Sequence, residues 1–147
     1  MGAGTGGTIC GIGRWFKDVD PNVQVVGVDP DGSILAVPDS MNGPMKSYLV
    51  EGVGYDFIPR VLDWDVVDRW AKSNDTDSFY WTRRLIKEEG LLCGGSSGGV
   101  FKAGLDIARE LGEGHRVVII LPDGIRNYMT KFLSDDWMYE NGFITEA

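Results

Sequence analysis

The sequence predicts an α/β domain built on a mostly parallel sheet, with helices on both faces. Three observations lead to this prediction: a glycine-rich turn opens an amphipathic helix, a short β-branched run follows that helix, and a second glycine turn opens a second helix further along. Strand, helix and strand in succession form a right-handed crossover, which builds parallel sheets. Because such a turn normally follows a buried strand, we expect the fold to be incomplete at its amino-terminal side.

The first turn, residues 2–8, reads GAGTGGT and contains the pattern G-x-G-x-x-G. Glycine allows positive φ and lets a ligand approach main-chain N–H groups closely. A helix over residues 9–19 is predicted by apolar residues spaced three and four apart, namely Ile9, Ile12, Phe16 and Val19. Free N–H donors and the positive end of the helix dipole favour an anion at this point, and Thr5 and Thr8 add hydroxyl donors. The turn therefore predicts a phosphate site, with a simple tight turn before a helix as the alternative.

The middle of the chain continues this pattern less clearly. Residues 23–28 (VQVVGV) are a nearly continuous run with four valines, as in a parallel strand covered on both faces, and residues 29–32 have the composition of a turn. A second glycine-punctuated turn covers residues 51–56. Residues 66–71 fit either a strand or a helix.

The second half contains two predicted helices and a predicted strand. Residues 78–89 form a helical pattern ended by a glycine, and the glycine-serine turn at 94–99 opens a helix whose apolar face extends to residue 111. Residues 116–121 (RVVIIL) are the clearest strand in the sequence. That strand stops at residues 122–124 (PDG), and ligands collect at the carboxyl ends of parallel strands.

Composition narrows the class of protein. At 147 residues the chain is about one domain long, so we expect a single, partial catalytic domain over residues 1–147. The formal net charge of −8 argues against nucleic acid or an anionic membrane as the main partner. No apolar run approaches the length of a membrane span, and no signal peptide is recognisable, so a cytoplasmic protein is expected. Two distant cysteines and the single His115 give no metal-binding spacing.

Two cofactors fit a phosphate-binding turn. A dinucleotide is favoured by Asp29, which follows Gly7 at about the distance expected for a ribose-binding acid, but this leaves the turn at 94–99 without a task. Pyridoxal phosphate explains both turns, because the first holds the phosphate and the second presents Ser96 to the pyridine ring. A neutral serine hydroxyl does not force the ring nitrogen to stay protonated, which favours β-elimination and β-replacement. Helix capping is the alternative role for Ser96.

Longer motifs are more specific than the turns alone. They are residues 2–8 (GAGTGGT), 27–36 (GVDPDGSILA), 51–59 (EGVGYDFIP), 72–75 (KSND), 90–96 (GLLCGGS), 121–123 (LPD) and 126–135 (RNYMTKFLSD). With these motifs the chain resembles the cysteine synthase/cystathionine β-synthase group of fold-type II pyridoxal-phosphate enzymes, whose fold is like that of the tryptophan synthase β subunit. The stretches YDF and NYM resemble the cystathionine β-synthases more narrowly. The resemblance covers nearly the whole chain and the later part of that family's catalytic core.

The resemblance implies roles for particular residues. The cofactor phosphate would bind to a run of five residues, namely Gly4, Thr5, Gly6, Gly7 and Thr8. Ser96 would hydrogen-bond the pyridine nitrogen, and Asp29 would be a structural turn residue. The substrate side of the active site would include Glu51, Gly52 and Tyr55.

The resemblance also implies an activity. Family members join serine and homocysteine into cystathionine with release of water, a step of transsulfuration and cysteine biosynthesis, and they release hydrogen sulfide from cysteine. Homo-oligomers are expected of the parent protein. No metal is expected.

The family's Schiff-base lysine lies in a serine-x-lysine context that is absent from this chain. None of the six lysines has it, namely Lys17, Lys46, Lys72, Lys87, Lys102 and Lys131. The catalytic residue is therefore not among the predicted site residues, and we expect the chain to be inactive alone and to act within a longer enzyme. The alternatives are a non-catalytic truncated relative that acts as a binding module and, less favoured, a dinucleotide-binding oxidoreductase domain.

Overall fold

The computed structural model describes residues 1–146, which divide into two compact units, the first Met1–Asn74 and the second from Asp75 onward. The first unit contains the helix α1 (Gly7–Val19) and the strands β1 (Val26–Pro30) and β2 (Arg69–Ser73). The second contains α2 (Asp75–Glu89), α3 (Gly95–Leu111) and the short α4 (Asp135–Glu140). The prediction of a single domain stays a prediction, because the two units are defined separately.

Strand β1 has a parallel neighbour on each edge. On one edge it pairs with β2, in a register that runs from Val26 opposite Arg69 to Pro30 opposite Ser73. On the other edge Val28 donates its N–H to the Met1 carbonyl and accepts the Ala3 N–H, both at 2.9 Å. In a parallel ladder alternate residues of a strand face opposite neighbours, so Met1–Ala3 and β2 flank β1. Gly2 and Ala3, predicted as part of the glycine turn, are therefore extended backbone paired to a strand, and the turn follows from Gly4.

The first predicted helix is confirmed and the first predicted strand is displaced. Helix α1 begins two residues before the predicted start and ends at Val19 as predicted. The ladder of β1 begins at Val26 instead of residue 23, because Asp68 occupies both main-chain groups of Val25. The Asp68 carboxylate accepts the Val25 N–H at 2.7 Å, and the Asp68 N–H donates to the Val25 carbonyl at 2.9 Å. Of the two alternatives for residues 66–71 the strand is correct, and it runs from Arg69 to Ser73.

Asp29 was expected in a turn, and this expectation is wrong. It lies on β1 with its side chain fully buried, opposite Lys72 of β2. The Lys72 ammonium donates to Asp29 Oδ2 at 2.7 Å, to the Ser33 carbonyl at 3.1 Å and to Asn42 Oδ1 at 3.2 Å. The turn-like composition is overridden because Lys72 on the neighbouring strand compensates the charge of the buried carboxylate at Oδ2. Asp29 Oδ1 has no hydrogen-bond partner among the described residues.

An apolar core fills the first unit beneath these strands. Its buried members are Ala3, Ile9, Cys10, Val25, Leu35, Ala36, Leu62, Val66, Val67 and Trp70. Trp70 lies across Gly27, where a Cβ would come within 2.7 Å of the indole ring. A side chain on Gly27 would therefore push the indole out of this core.

Helices α2 and α3 pack closely in the second unit. A Cβ on Gly98 would lie 2.5 Å from the Thr82 nitrogen, so only glycine allows this approach of the two backbones. The Thr82 hydroxyl joins them, since it accepts the Gly98 N–H at 2.9 Å and donates to the carbonyls of Gly94 and Gly95 at 3.2 and 3.1 Å. Both predicted helices are confirmed, and α2 begins three residues earlier than predicted. Residues 95–99, which were predicted as a turn, are the first residues of α3.

The predicted strand at 116–121 is not formed within the described residues. No ladder hydrogen bond joins it to another described segment, and the Val118 side chain is 72% exposed. The side chains of Val117 and Ile119 lie near Gly104 of α3. The prediction is wrong because an apolar pattern alone does not make a strand: a strand also requires a partner for its backbone, and sequence alone does not supply one. No helix in this part of the chain combines the length and apolar character needed to cross a bilayer.

Replacing Lys72 tests the buried ion pair. We expect Lys72→Met to lower the free energy of unfolding by about 3–5 kcal/mol, because it leaves the Asp29 carboxylate buried and uncompensated. As a control, Lys102→Met breaks a largely exposed pair with Asp106 on α3 and should cost under about 1 kcal/mol. Urea unfolding of both variants measures the difference, and equal losses would contradict the importance of the buried pair.

Candidate functional site

The glycine turn leaves main-chain donors free at the start of α1. Gly6 is the N-cap with φ of 91°, and no side chain caps the helix. The Cys10 N–H donates to the Gly6 carbonyl at 2.9 Å, so the N–H groups of the three preceding residues have no acceptor inside the helix. Thr5, Gly7 and Thr8 are exposed. The loop therefore presents several donors to one region of solvent.

The glycines of this loop serve different purposes. A Cβ on Gly6 would lie 2.8 Å from Leu62 Cα, in addition to the strain of a positive φ, so Gly6 is required by the fold itself. A Cβ on Gly7 would meet nothing within 4 Å, and one on Gly4 would meet only the Gly52 carbonyl oxygen and the Tyr55 ring, at ordinary contact distances. The first turn of α1 contains no acidic side chain. Space, donors and the absence of negative charge in that turn all fit a phosphate group.

An open cleft of about 1010 Å³ lies beside the loop in the first unit. Its lining comprises Gly4, Thr5, Gly32, Met45, Lys46, Ser47, Tyr48 and residues 50–56. The structure thus brings the predicted substrate-side residues Glu51, Gly52 and Tyr55 together with the front of the predicted phosphate loop. Gly6, Gly7 and Thr8 do not line this cleft.

Hydrogen bonds hold the predicted substrate-side segment against the loop. The Gly54 N–H donates to the Ala3 carbonyl at 2.7 Å, directly before Gly4. Ser33 fixes Tyr55 at both main-chain groups, since its hydroxyl accepts the Tyr55 N–H at 2.9 Å and donates to the Tyr55 carbonyl at 3.0 Å. Positive φ angles of 78° and 77° at Gly52 and Gly54 shape the turn between them. The aromatic ring of Tyr55 is therefore presented to the cleft on a backbone with little freedom.

Sequence reasoning missed the contribution of residues 45–48 to the cleft. A Cβ on Gly32 would approach Lys46 Cγ to 2.9 Å and the Lys46 carbonyl still more closely, so the approach of this segment depends on a glycine with φ of 101°. The signal was the glycine ending the turn at 29–32, which sequence reasoning treated only as turn chemistry. Through this approach Lys46 adds a positive charge to a cleft that also contains Glu51 and Asp56.

Ser96 lies in the second unit, which is described by itself. It is the second residue of α3 and is 5% exposed, and the N-cap position is occupied by Gly94 without a side-chain capping bond. Among residues 1–146 no partner binds the Ser96 hydroxyl. Helix capping, the alternative given above, is therefore not its role here.

Comparisons with known proteins identify the family. The model for the family described as "Pyridoxal-phosphate dependent enzyme" matches residues 1–123. The chain belongs to this family. Its predicted resemblance is also confirmed by similar relatives: it is 60% identical to a cystathionine β-synthase of Dictyostelium discoideum over 142 residues and 59% identical to one of Rattus norvegicus over 145 residues.

A solved structure supports the fold. The crystal structure of an O-acetylserine dependent cystathionine β-synthase from Helicobacter pylori is similar with a TM-score of 0.78 and 39% identity, over 88% of this chain and 41% of that one. The prediction of a partial fold-type II α/β structure is confirmed. The alignments with these two relatives include 97% and 98% of this chain but only 28% and 26% of the relatives' own lengths.

The dinucleotide alternative depended on Asp29. In the structure its carboxylate is fully buried and accepts hydrogen bonds from Lys72 and from the Ala36 N–H at 3.2 Å. A ribose hydroxyl cannot reach a buried carboxylate of this kind, so the position of Asp29 counts against that alternative.

Alanine at two adjacent glycines tests which of the two positions the fold requires to be glycine. We expect Gly6→Ala to lower the free energy of unfolding by at least about 1–2 kcal/mol, because of αL strain and the contact with Leu62. Gly7→Ala should be neutral or stabilising by up to about 1 kcal/mol, since a Cβ there is unobstructed and alanine favours a helix. Thermal or urea unfolding of the two variants measures both effects, and a destabilised Gly7→Ala would show that this position is not open.

Proposed function

We propose that this chain forms part of the catalytic core of a pyridoxal-phosphate dependent β-replacement lyase of the cystathionine β-synthase type. The proposed substrates are serine and homocysteine, with cystathionine and water as products, and cysteine with release of hydrogen sulfide. The observation that carries the proposal is the glycine loop, with its free donors, beside a cleft lined by the family's substrate-side motif. Family membership and relatives at about 60% identity support it.

The phosphate would be held by the loop from Gly4 to Thr8. Unpaired N–H groups at the helix start and the hydroxyls of Thr5 and Thr8 would donate to phosphate oxygens, and the dipole of α1 adds favourable potential. The open space at Gly7 lets the phosphate approach the main chain. These donors need no rearrangement, because Gly6 already holds the turn in its left-handed conformation.

Ser96 would donate its hydroxyl hydrogen to the pyridine nitrogen. Bound pyridoxal phosphate supplies an electron sink for chemistry at the amino-acid Cα and Cβ. A neutral partner leaves that nitrogen unprotonated more readily than a carboxylate would, which suits elimination and replacement at Cβ. The unpartnered hydroxyl of Ser96 supports this role.

The substrate side would be formed by the segment of Glu51, Gly52 and Tyr55. The tyrosine ring would exclude water from one side of the cleft, and the carboxylate and main-chain groups of the turn would orient the amino acid. The rigid attachment of Tyr55 to Ser33 supports a positioning role for this segment.

Several lysines are already engaged in other interactions. Lys72 is held by Asp29, while Lys17 and Lys102 form ion pairs with Asp68 and Asp106, each at 2.5 Å. Lys46 lines the cleft, but it does not lie in the family's serine-x-lysine context. We propose that the chain alone binds the cofactor reversibly and does not catalyse the reaction. A cytoplasmic location and assembly of the parent protein into homo-oligomers belong to the same proposal.

A binding experiment on the 147-residue chain tests the phosphate loop. We expect pyridoxal phosphate to bind about tenfold more tightly than pyridoxal or better, because each hydrogen bond to a charged phosphate is worth about 1.5–3 kcal/mol. Absorbance of the cofactor measures the binding of both ligands. Thr8→Val should weaken pyridoxal-phosphate binding about tenfold, whereas the exposed control Thr130→Val should not change it. Equal affinities for the two ligands would contradict the loop's assignment.

Borohydride reduction of the same complex tests the absence of a Schiff base. We expect peptide mass mapping to find no lysine that carries the cofactor in stoichiometric amount. A stoichiometric adduct on one of the six lysines would overturn the proposal that the chain alone lacks the covalent site.

A further inference from the structure

The turn that precedes Ser96 is tied to the segment that follows residues 116–121. The Gly94 N–H donates to the Asp123 carbonyl and the Ile125 N–H donates to the Leu92 carbonyl, both at 3.0 Å. Cys93 and Gly124 face each other between these two bonds as an antiparallel bridge. The start of α3 is thus fixed from outside by residues 123–125.

The Asp123 side chain adds a second attachment at the same place. Its Oδ2 accepts a hydrogen bond from the Tyr128 hydroxyl at 2.5 Å, which is in the range of charge-assisted O–H···O⁻ bonds. A Cβ on Gly94 would lie 2.7 Å from Asp123 Cγ and closer still to Oδ1. The carboxylate therefore rests directly on the Gly94 backbone, and this position must be glycine.

Tyr128 connects this carboxylate to the aromatic core of the second unit. It is 7% exposed and its ring lies 5.4 Å from that of Phe132, which in turn stacks on Phe79 at 5.4 Å. The Tyr128 ring packs on Phe132 and its hydroxyl bonds Asp123, so the side chain has little rotational freedom. The hydroxyl therefore fixes the position of the Asp123 carboxylate.

One oxygen of the Asp123 carboxylate lacks a hydrogen bond. Asp123 Oδ1 is buried and has no hydrogen-bond partner within the described residues. A buried, unpartnered carboxylate oxygen carries a desolvation penalty, and the hydrogen bond from Tyr128 to the other oxygen offsets part of it. Burial raises the pKa of the neighbouring Cys93 thiol, hydrogen bonds of Ser97 and of the Cys93 main chain oppose this, and the Asp123 charge adds a smaller increase.

We propose that Asp123 and Tyr128 are positioning residues for Ser96, which hold the Cys93–Gly94–Gly95 turn so that the Ser96 hydroxyl points in one direction. This inference rests on the proposed function, in which that hydroxyl meets the pyridine nitrogen. Because α3 has no side-chain cap, the direction of its first turn depends on contacts from other segments. Thr82 binds the carbonyls of Gly94 and Gly95, and the Asp123 carboxylate lies against the Gly94 backbone. Neither residue touches the cofactor in this proposal.

The first test needs no cofactor. Nuclear magnetic resonance of the labelled 147-residue chain reports the Ser96 χ1 rotamer through its couplings and the protection of the Gly94 amide through hydrogen exchange. Tyr128→Phe keeps the ring and removes the hydroxyl, so we expect at least tenfold faster exchange at Gly94 and a loss of the single Ser96 rotamer. The exposed Tyr139 gives the matched control, Tyr139→Phe, which should leave both signals unchanged.

Variants at Asp123 keep the proposal falsifiable where Tyr128→Phe fails to fold. Asp123→Ala should have the same two effects, whereas Asp123→Asn retains an acceptor for the tyrosine hydroxyl and should preserve the Ser96 rotamer. Met138→Ala removes a buried side chain elsewhere in the second unit and controls for loss of stability alone. A Ser96 rotamer that is unchanged in folded Tyr128→Phe and Asp123→Ala would overturn the inference.

The second test uses pyridoxal phosphate labelled with ¹⁵N in the ring. We expect Ser96→Ala and Tyr128→Phe to move the pyridine nitrogen resonance in the same direction, with Tyr139→Phe unchanged. If Ser96→Ala leaves the resonance in place, the proposed contact of Ser96 fails, and the rotamer measurement alone decides the positioning role. If Ser96→Ala moves the resonance and Tyr128→Phe does not, the positioning role fails while the contact stands.

Discussion

The first unit depends on the requirement that β1 be hydrogen-bonded along both edges while it carries a buried carboxylate. Extended backbone at Met1–Ala3 satisfies one edge and β2 the other, and Lys72 neutralises Asp29 between them. These conditions place the glycine loop, because the chain turns directly after Ala3. They also place the segment around Tyr55, since the Ala3 carbonyl accepts the Gly54 N–H. The geometry of the candidate site thus follows from backbone pairing more than from side-chain packing.

Glycines are required for different structural reasons at different positions of this protein. At Gly27 and Gly98 it lets a neighbouring ring or backbone approach to a distance that any Cβ would prevent. At Gly6 it also permits a left-handed conformation that turns the chain into α1. At Gly7, by contrast, the surrounding space is open, so contacts within the fold do not require glycine at this position. The contacts of each glycine thus distinguish the positions that the fold requires from those that are open to the proposed ligand.

The second unit presents a serine whose environment is set by other residues. Thr82 ties α2 to the first turn of α3, and Asp123 lies against the N-cap glycine of that helix. Both attach to main chain and leave the Ser96 hydroxyl without a partner. A polar group kept available in a buried turn is what a ligand-binding role requires, because an engaged hydroxyl would first have to exchange partners.

Sequence by itself determined the family, the α/β class, the helices α1, α2 and α3, and the loops that carry the candidate site residues. These features rest on local signals, namely apolar periodicity and glycine placement, and on long motifs shared with the family. Tertiary structure decided what depends on partners distant in sequence. Asp29 lies in β1 because Lys72, distant in sequence, lies opposite it. Residues 116–121 form no strand because no other described segment pairs with their backbone. Residues 45–48 joined the cleft, and Asp123 reached Gly94, through approaches that no local pattern encodes, since a close contact is a property of two segments and not of either one.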